Sequence, residues 1–293
     1  MAALAVAVQV IEYLAAILCT PVYVAFLVIL FSKRSSSELG GPFFRIVFVL
    51  GLHDLSFTWL IFLNRLLYLI GLQSAMASAL FIVTIFGINY SKYGQVAGVL
   101  NITINRLIAV VWPFYYQSLS SSNAATDLSI SVLQIAFPVL VLVLRAVYQC
   151  ETAPVSQTTS NSTGLIESVT STWCTDLVGP TTTLLQLAAS AILIALYVLM
   201  ISKMAVRETG NFSKAQRNLT ISGLLLSFLL LCCGLSYVLC EPSQDRFNPW
   251  CAAVRLGVQF IFSLCNPFLF LLTSSALRAQ VKPLLNRNLV APR

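Results

Sequence analysis

The sequence predicts an all-α fold: a bundle of seven helices threaded through a membrane, N-terminus outside and C-terminus inside. Three observations predict it. Seven long apolar stretches fill the chain; its residues are 58% hydrophobic and only 9% charged; and its basic residues gather on alternate connectors. About 20 apolar residues cross a hydrocarbon layer ~30 Å thick as a helix. Lipid offers no partners to backbone amides, so each crossing helix must satisfy its own backbone. Residues 1–285 read as one seven-helix domain, followed by a cytoplasmic tail at 286–293.

The spans read as 9–31, 43–64, 80–108, 128–148, 182–203, 219–240 and 252–274. The first is expected to act as its own uncleaved insertion signal, because no basic leader precedes it. It carries Glu12 near its outer edge, where a solvated position is expected, and Pro21, expected to kink it. The second carries His53 and Asp54. The third is preceded by residues 66–87, apolar with few breaks, so an eighth helix there is an alternative; it would invert every later connector and break the charge pattern. Pro138 is expected to kink the fourth span, and the fifth and sixth contain no proline. After the seventh, residues 275–285 set Leu277, Val281 and Leu284 against Arg278 and Lys282, which reads as a short amphipathic helix on the inner surface.

Charge orients the bundle. With the N-terminus outside, the inner side receives Lys33, Arg34, Arg45, Arg106, Lys203, Arg207, Lys214, Arg217, Arg278, Lys282, Arg287 and Arg293, twelve of the seventeen basic residues. That is the bias of cytoplasmic connectors. The net charge of +7 is therefore a topology signal and points to no nucleic acid. Cys150, Cys174, Cys240 and Cys251 all fall on the outer, oxidising side. Cys150 with Cys174 and Cys240 with Cys251 would each close a loop, although four cysteines allow three connectivities. Cys19, Cys232, Cys233 and Cys265 lie inside spans and read as small packing residues. Of five Asn-x-Ser/Thr sequons, only Asn161 lies in an outer loop clear of the bilayer, so it is the expected glycosylation site. Its loop, 149–181, is the longest outer segment and the candidate lid.

Charges inside spans cost roughly 2.5–3.5 kcal/mol at mid-bilayer, so each calls for a reason. Asp54 lies eleven residues into the second span, ~16 Å from the inner surface. Lys92 and Arg106 are fourteen residues apart on the third, close to four turns, and so share a face ~21 Å apart. Asn89, Gln95 and Thr103 fall within about 60° of Lys92. This stripe is expected to face the interior, with Lys92, Asn89 and Gln95 lining a ligand cavity and Asp54 as counter-charge. Two other readings of Lys92 are a pair with Asp54 that only fixes packing, and an ammonium snorkelling outward. His53, the single histidine, is expected to pack or face lipid. Gly94 and Gly98 form a small-residue step that allows close helix approach. One histidine supplies no metal site, and the chain has no phosphate-cradling glycine loop, nucleophile elbow or paired intramembrane aspartates. No enzyme, cofactor or metal is expected.

The third span ends in Asn105-Arg106-Leu107, followed by Ile108-Ala109-Val110-Val111-Trp112-Pro113. In this the chain resembles rhodopsin-like G-protein-coupled receptors. Arg106 matches that family's arginine and Pro113 its proline, Asp54 the helix-two aspartate, and Asn266-Pro267 the start of the helix-seven motif. Pro42-Phe43-Phe44-Arg45, Arg65, Gln95 ahead of Asn105-Arg106, and Tyr115-Tyr116 beyond Pro113 resemble more closely the nematode serpentine chemoreceptors of the Srg superfamily, class gamma and its neighbours. The likeness runs over residues 10–285.

The departures are an absent acid at Asn105, an absent tyrosine at Leu107, no cysteine at the outer start of helix three, and no helix-six proline. The resemblance implies a plasma-membrane receptor, in a sensory cilium, that binds a small molecule from outside and engages a heterotrimeric G protein. Asn105, Arg106, Asp54, Asn266 and Pro267 would form its switch, and Arg106, Lys203, Arg207, Lys214 and Arg217 its G-protein contact. The alternative from another class is a ligand-gated channel or transporter-like protein. Seven spans do not divide into the equal halves typical of transporters, and no matched interruptions mark them.

Overall fold

The computed structural model describes residues 2–33, 41–70, 75–114, 116, 127–152, 178–206, 214–240, 249–275 and 277–280. They form seven helices: α1 (Ala2–Ser32), α2 (Pro42–Ile70), α3 (Ala75–Val111), α4 (a π-helical opening, Ile130–Ala136, continued by Phe137–Thr152), α5 (Val178–Val206), α6 (Lys214–Leu239) and α7 (Pro249–Thr273). Each holds a segment long and apolar enough to cross a membrane, from Val10–Ser32 in α1 to Val254–Thr273 in α7. Among the described residues there is no strand. The apolar run at 66–87 makes no helix of its own, because α2 continues through Ile70 and α3 begins at Ala75.

Successive helices run in alternating directions, so Arg106 shares one end of the bundle with the starts of α2, α4 and α6. Arg65 marks the other end. α3 is the enclosed helix, packed on α2, α4, α5 and α6, and residues 91–99 are buried all round it. α1 closes the ring against α2 and α7. Outward faces carry Leu18, Val28, Leu144, Leu184 and Val198, exposed aliphatics whose natural neighbour is hydrocarbon. The core runs through Tyr23, Phe26, Leu50, Val99, Ile102, Leu193, Leu226, Leu230 and Phe262.

Pro138 acts through hydrogen bonding. A proline has no N–H, so it strips the carbonyl four residues earlier of its helical partner. That carbonyl belongs to Gln134, inside the π-helical opening, where the Phe137 N–H reaches back to the Val132 carbonyl. The freed Gln134 carbonyl accepts from His53 Nε2 at 3.0 Å. His53 is thus a buried tie between α2 and α4 and does not face lipid. Its ring also fills the space over Gly94, where a Cβ would collide with it. Pro21, by contrast, is held inside a continuous α1.

Glu12 departs from its expected solvated position. It is only 6% exposed and pairs with Arg65 at 3.0 Å across α1 and α2. Two charges on neighbouring helices at the same depth cost less to bury together than either does alone. At the other end Arg45 pairs with Asp127 at 2.5 Å, joining the starts of α2 and α4.

The helix expected over 275–285 is described only as far as Gln280. Ser274 caps its start: the Ser274 Oγ accepts from the Leu277 N–H at 3.3 Å, and Leu277 is buried. Arg278 turns back to donate to the Leu271 carbonyl at 3.1 Å and to that of Leu272, covering open carbonyls at the end of α7.

Candidate functional site

The Asp54 carboxyl is fully buried, 0% exposed. Three helices supply donors to it: the Tyr23 hydroxyl of α1 at 2.6 Å, the Gln95 amide of α3 at 2.8 Å, and the Asn266 amide of α7. Gln95 Nε2 also donates to Ser263 Oγ at 2.8 Å, while Gln95 Oε1 accepts from Gln259 Nε2 at 2.9 Å. Gln259, Ser263 and Asn266 follow one another by four and three residues, which puts them on one face of α7. In a low-dielectric interior such a network fixes the helices' relative rotation, since slipping any member strands a buried donor.

Lys92 does not pair with Asp54. The carboxyl is already taken by its three donors, and Lys92 lies three residues before Gln95, ~4.5 Å nearer the Arg65 end. Its ammonium, on a residue 5% exposed, rests 3.7 Å from the centroid of the Tyr237 ring of α6. Neither the Glu12–Arg65 nor the Arg45–Asp127 ion pair includes it. The Arg255 guanidinium stands 5.0 Å from the same ring and donates to the Cys240 carbonyl at 3.4 Å. Of the other residues expected to line a cavity with Lys92, Asn89 is half-buried and its amide bonds back to the Ile85 carbonyl at 2.9 Å, while Gln95 belongs to the Asp54 network.

Two further buried amides hold atoms without hydrogen-bond partners. Gln186 of α5 is 0% exposed, and neither of its amide atoms has a hydrogen-bond partner. An unmet buried polar atom costs roughly 1–3 kcal/mol. Gln259 Oε1 is likewise buried and unpartnered. The turn of α6 before Tyr237 ties these levels together: Gly234 faces Leu187, next to Gln186, and Cys233 Sγ reaches the Val258 carbonyl at 3.7 Å, next to Gln259.

At the opposite end Arg106 is 7% exposed, its guanidinium 3.8 Å from the centroid of the Phe43 ring and its Nε without a partner. Phe43 in turn meets Phe270 of α7 edge-on at 5.6 Å. Asn105 accepts from the Tyr116 hydroxyl at 3.3 Å. Tyr197 of α5 is buried beside this group; its hydroxyl accepts from Thr103 at 3.2 Å and fills the place where a Cβ on Gly223 would fall. Lys203 and Arg217 are exposed. Arg207 and the side chain of Lys214 lie outside the described residues, as do Asn161, Cys174 and the side chain of Cys150. The Cys240–Cys251 bridge is not formed: Cys251 is a free thiol turned into the bundle in the first turn of α7.

The family model for serpentine type 7TM GPCR chemoreceptors, Srv, matches residues 12–286. The chain belongs to the Srv family. It is a multi-pass membrane protein and a chemosensory receptor of the G-protein-coupled type. The match names class Srv where the motifs left class gamma and its neighbours open, and it does not favour a channel or transporter. A search of curated proteins found no match.

Several residues of this Srv chain to which the sequence assigns no role are central in the structure: Tyr23, Phe43, Gln186, Tyr237, Gln259 and Ser263. The spacing of Gln259, Ser263 and Asn266, and of Gln186 and Ser190, marked a polar stripe within an apolar span. Phe43 was marked in sequence only as part of the Pro42-Phe43-Phe44-Arg45 motif, with no role of its own, and nothing marked Tyr237, since aromatic residues in a span are ordinary core.

Proposed function

We propose that this receptor lies in the plasma membrane of a sensory cilium with its N-terminus outside, binds a small molecule in the half of the bundle around Lys92, and activates a heterotrimeric G protein at the Arg106 end. One observation carries the reading: a connected path from Lys92 to Arg106. Gln95, a turn beyond Lys92, bonds to Asp54; Asn266 bonds to the same carboxyl; Phe270, four residues beyond Asn266, meets Phe43; and Phe43 holds Arg106. A ligand that repositions α3 against α7 changes the hydrogen bonds at Asp54 and the ring contact at Phe43 together.

The arginine that lacks an acidic neighbour rests instead on a ring, a contact worth about 0.5–2 kcal/mol. Release of that contact would free Arg106 for the G protein beside the basic residues Lys203, Arg207, Lys214 and Arg217. Moving the two helix arrangements from 1:99 to 99:1 takes ~5.5 kcal/mol of differential affinity, within the scale of one desolvated ion pair plus apolar contacts. The basic bias of the Arg106 end supports the orientation, and Pro42-Phe43-Phe44-Arg45 with Gln95, Asn105 and Arg106 supports a place in the wider Srg superfamily. Cells expressing the receptor, challenged with small acids and volatiles and read by calcium or cyclic nucleotide, test the proposal. The response is expected to disappear in Arg106→Ala, and an unchanged response would remove Arg106 from the mechanism.

A further inference from the structure

We infer that the level of Lys92, Gln186 and Gln259 is a binding site for a small carboxylic acid that also carries a hydroxyl group. The inference rests on the receptor reading above and names its ligand class.

Three side chains from three helices are buried at about this depth, and the amides of Gln186 and Gln259 hold atoms without a hydrogen-bond partner. Lys92 brings a full positive charge to a place where its described neighbour is the face of Tyr237, at 3.7 Å. A ring face attracts a cation but offers no lone pair, so the ammonium still has donors to spend. Gln186 has an open donor, Nε2, and an open acceptor, Oε1. Gln259 uses its donor on Gln95 and keeps an open acceptor, Oε1.

The pattern is asymmetric, and the asymmetry selects the ligand. A charged donor and an amide donor together suit a carboxylate, which accepts through two oxygens. The two leftover acceptors call for an O–H donor on the same molecule. A simple fatty acid would satisfy the first need and leave the acceptors stranded; a neutral alcohol would do the reverse. The Asp54 network one turn deeper has its carboxyl fully bonded, so it forms a floor and does not compete for the ligand. The Arg255 guanidinium, 5.0 Å from the centroid of the same ring, adds a second positive charge that would draw an acid to this level.

The test uses the full-length receptor in lipid nanodiscs, without G protein, with octanoate, ω-hydroxyoctanoate and methyl octanoate as probes and ligand-induced thermal stabilisation as the readout. The hydroxy acid is expected to bind best, octanoate less well and the ester weakest. Lys92→Met should weaken both acids roughly 30-fold or more, the scale of removing one partner of a buried charge pair, with little effect on the ester. Lys92→Arg should restore much of the acid binding. Gln186→Leu, which keeps the volume and removes one of the two open acceptors, should shrink the preference for the hydroxy acid over octanoate.

Acids that bind no better than the ester, no binding by any probe, or acid affinity unchanged in Lys92→Met would each overturn the site. A misfolded Lys92→Met protein would show as lost unfolding cooperativity, in which case the Lys92→Arg and Gln186→Leu comparisons decide alone. Acid binding without G-protein activation in cells would keep this site and sink the signalling reading. G-protein activation by neutral odorants, with no acid preference, would do the opposite.

Discussion

Asp54 and Lys92 are buried charges on neighbouring helices, barely a helical turn apart in depth, yet the fold treats them in opposite ways. Asp54 is met by donors from α1, α3 and α7. Lys92 meets a ring, and the buried amide of Gln186 on α5 has no hydrogen-bond partner. A carboxyl met from three helices is a fastener, because each of its donors loses a partner if the helices shift. An unsaturated level resembles a lock without its key: the protein has carried the desolvation cost and left the matching groups to something else.

The largest effect that would break this contrast is expected at Asp54. Asp54→Leu strands the donors of Tyr23, Gln95 and Asn266 and should cost about 3–5 kcal/mol, read as a lowered unfolding midpoint in nanodiscs and as poor surface delivery. A variant as stable as the parent would show that the network does not fasten the bundle. Gln186→Leu should move stability the other way, by about 1–3 kcal/mol, since it removes a buried amide that has no partner. Destabilisation there would mean that the amide is satisfied in the unliganded receptor.

Next comes the coupling between the two levels and the Arg106 end. Phe43→Leu keeps the bulk and removes the ring face under Arg106, and should raise basal G-protein activity about fivefold, equivalent to ~1 kcal/mol. Unaltered basal signalling would separate the ring contact from the resting state. Smallest of all should be Thr58→Val. The Thr58 hydroxyl bonds only to the Asp54 backbone carbonyl at 2.9 Å, outside the carboxyl network, so its loss should shift the unfolding midpoint by less than about 1 kcal/mol. An effect as large as that of Asp54→Leu would show that any polar change near Asp54 is disruptive, and that the carboxyl has no special part.

How much of this was legible beforehand varies by residue. Asp54, Arg106, Asn266 and Lys92 announced themselves, because charge and amide in an apolar span are expensive and few. Their partners did not. Lys92 and Asp54 look like a pair in one dimension, and only the helix rotations show that Gln95 reaches Asp54 first. Glu12 looked solvated because its mate, Arg65, lies on another helix. His53 gained its role from a proline on α4, a link with no trace in local sequence.

The sequence by itself determined that the chain crosses a membrane in seven helices, which helix ends carry the basic residues, and which few polar groups must be justified. Those follow from composition and period, properties of a helix taken alone. Tertiary structure decided which of these groups are satisfied and which stand open. A hydrogen bond depends on the rotation and depth of two helices at once, and that relation exists only after they pack.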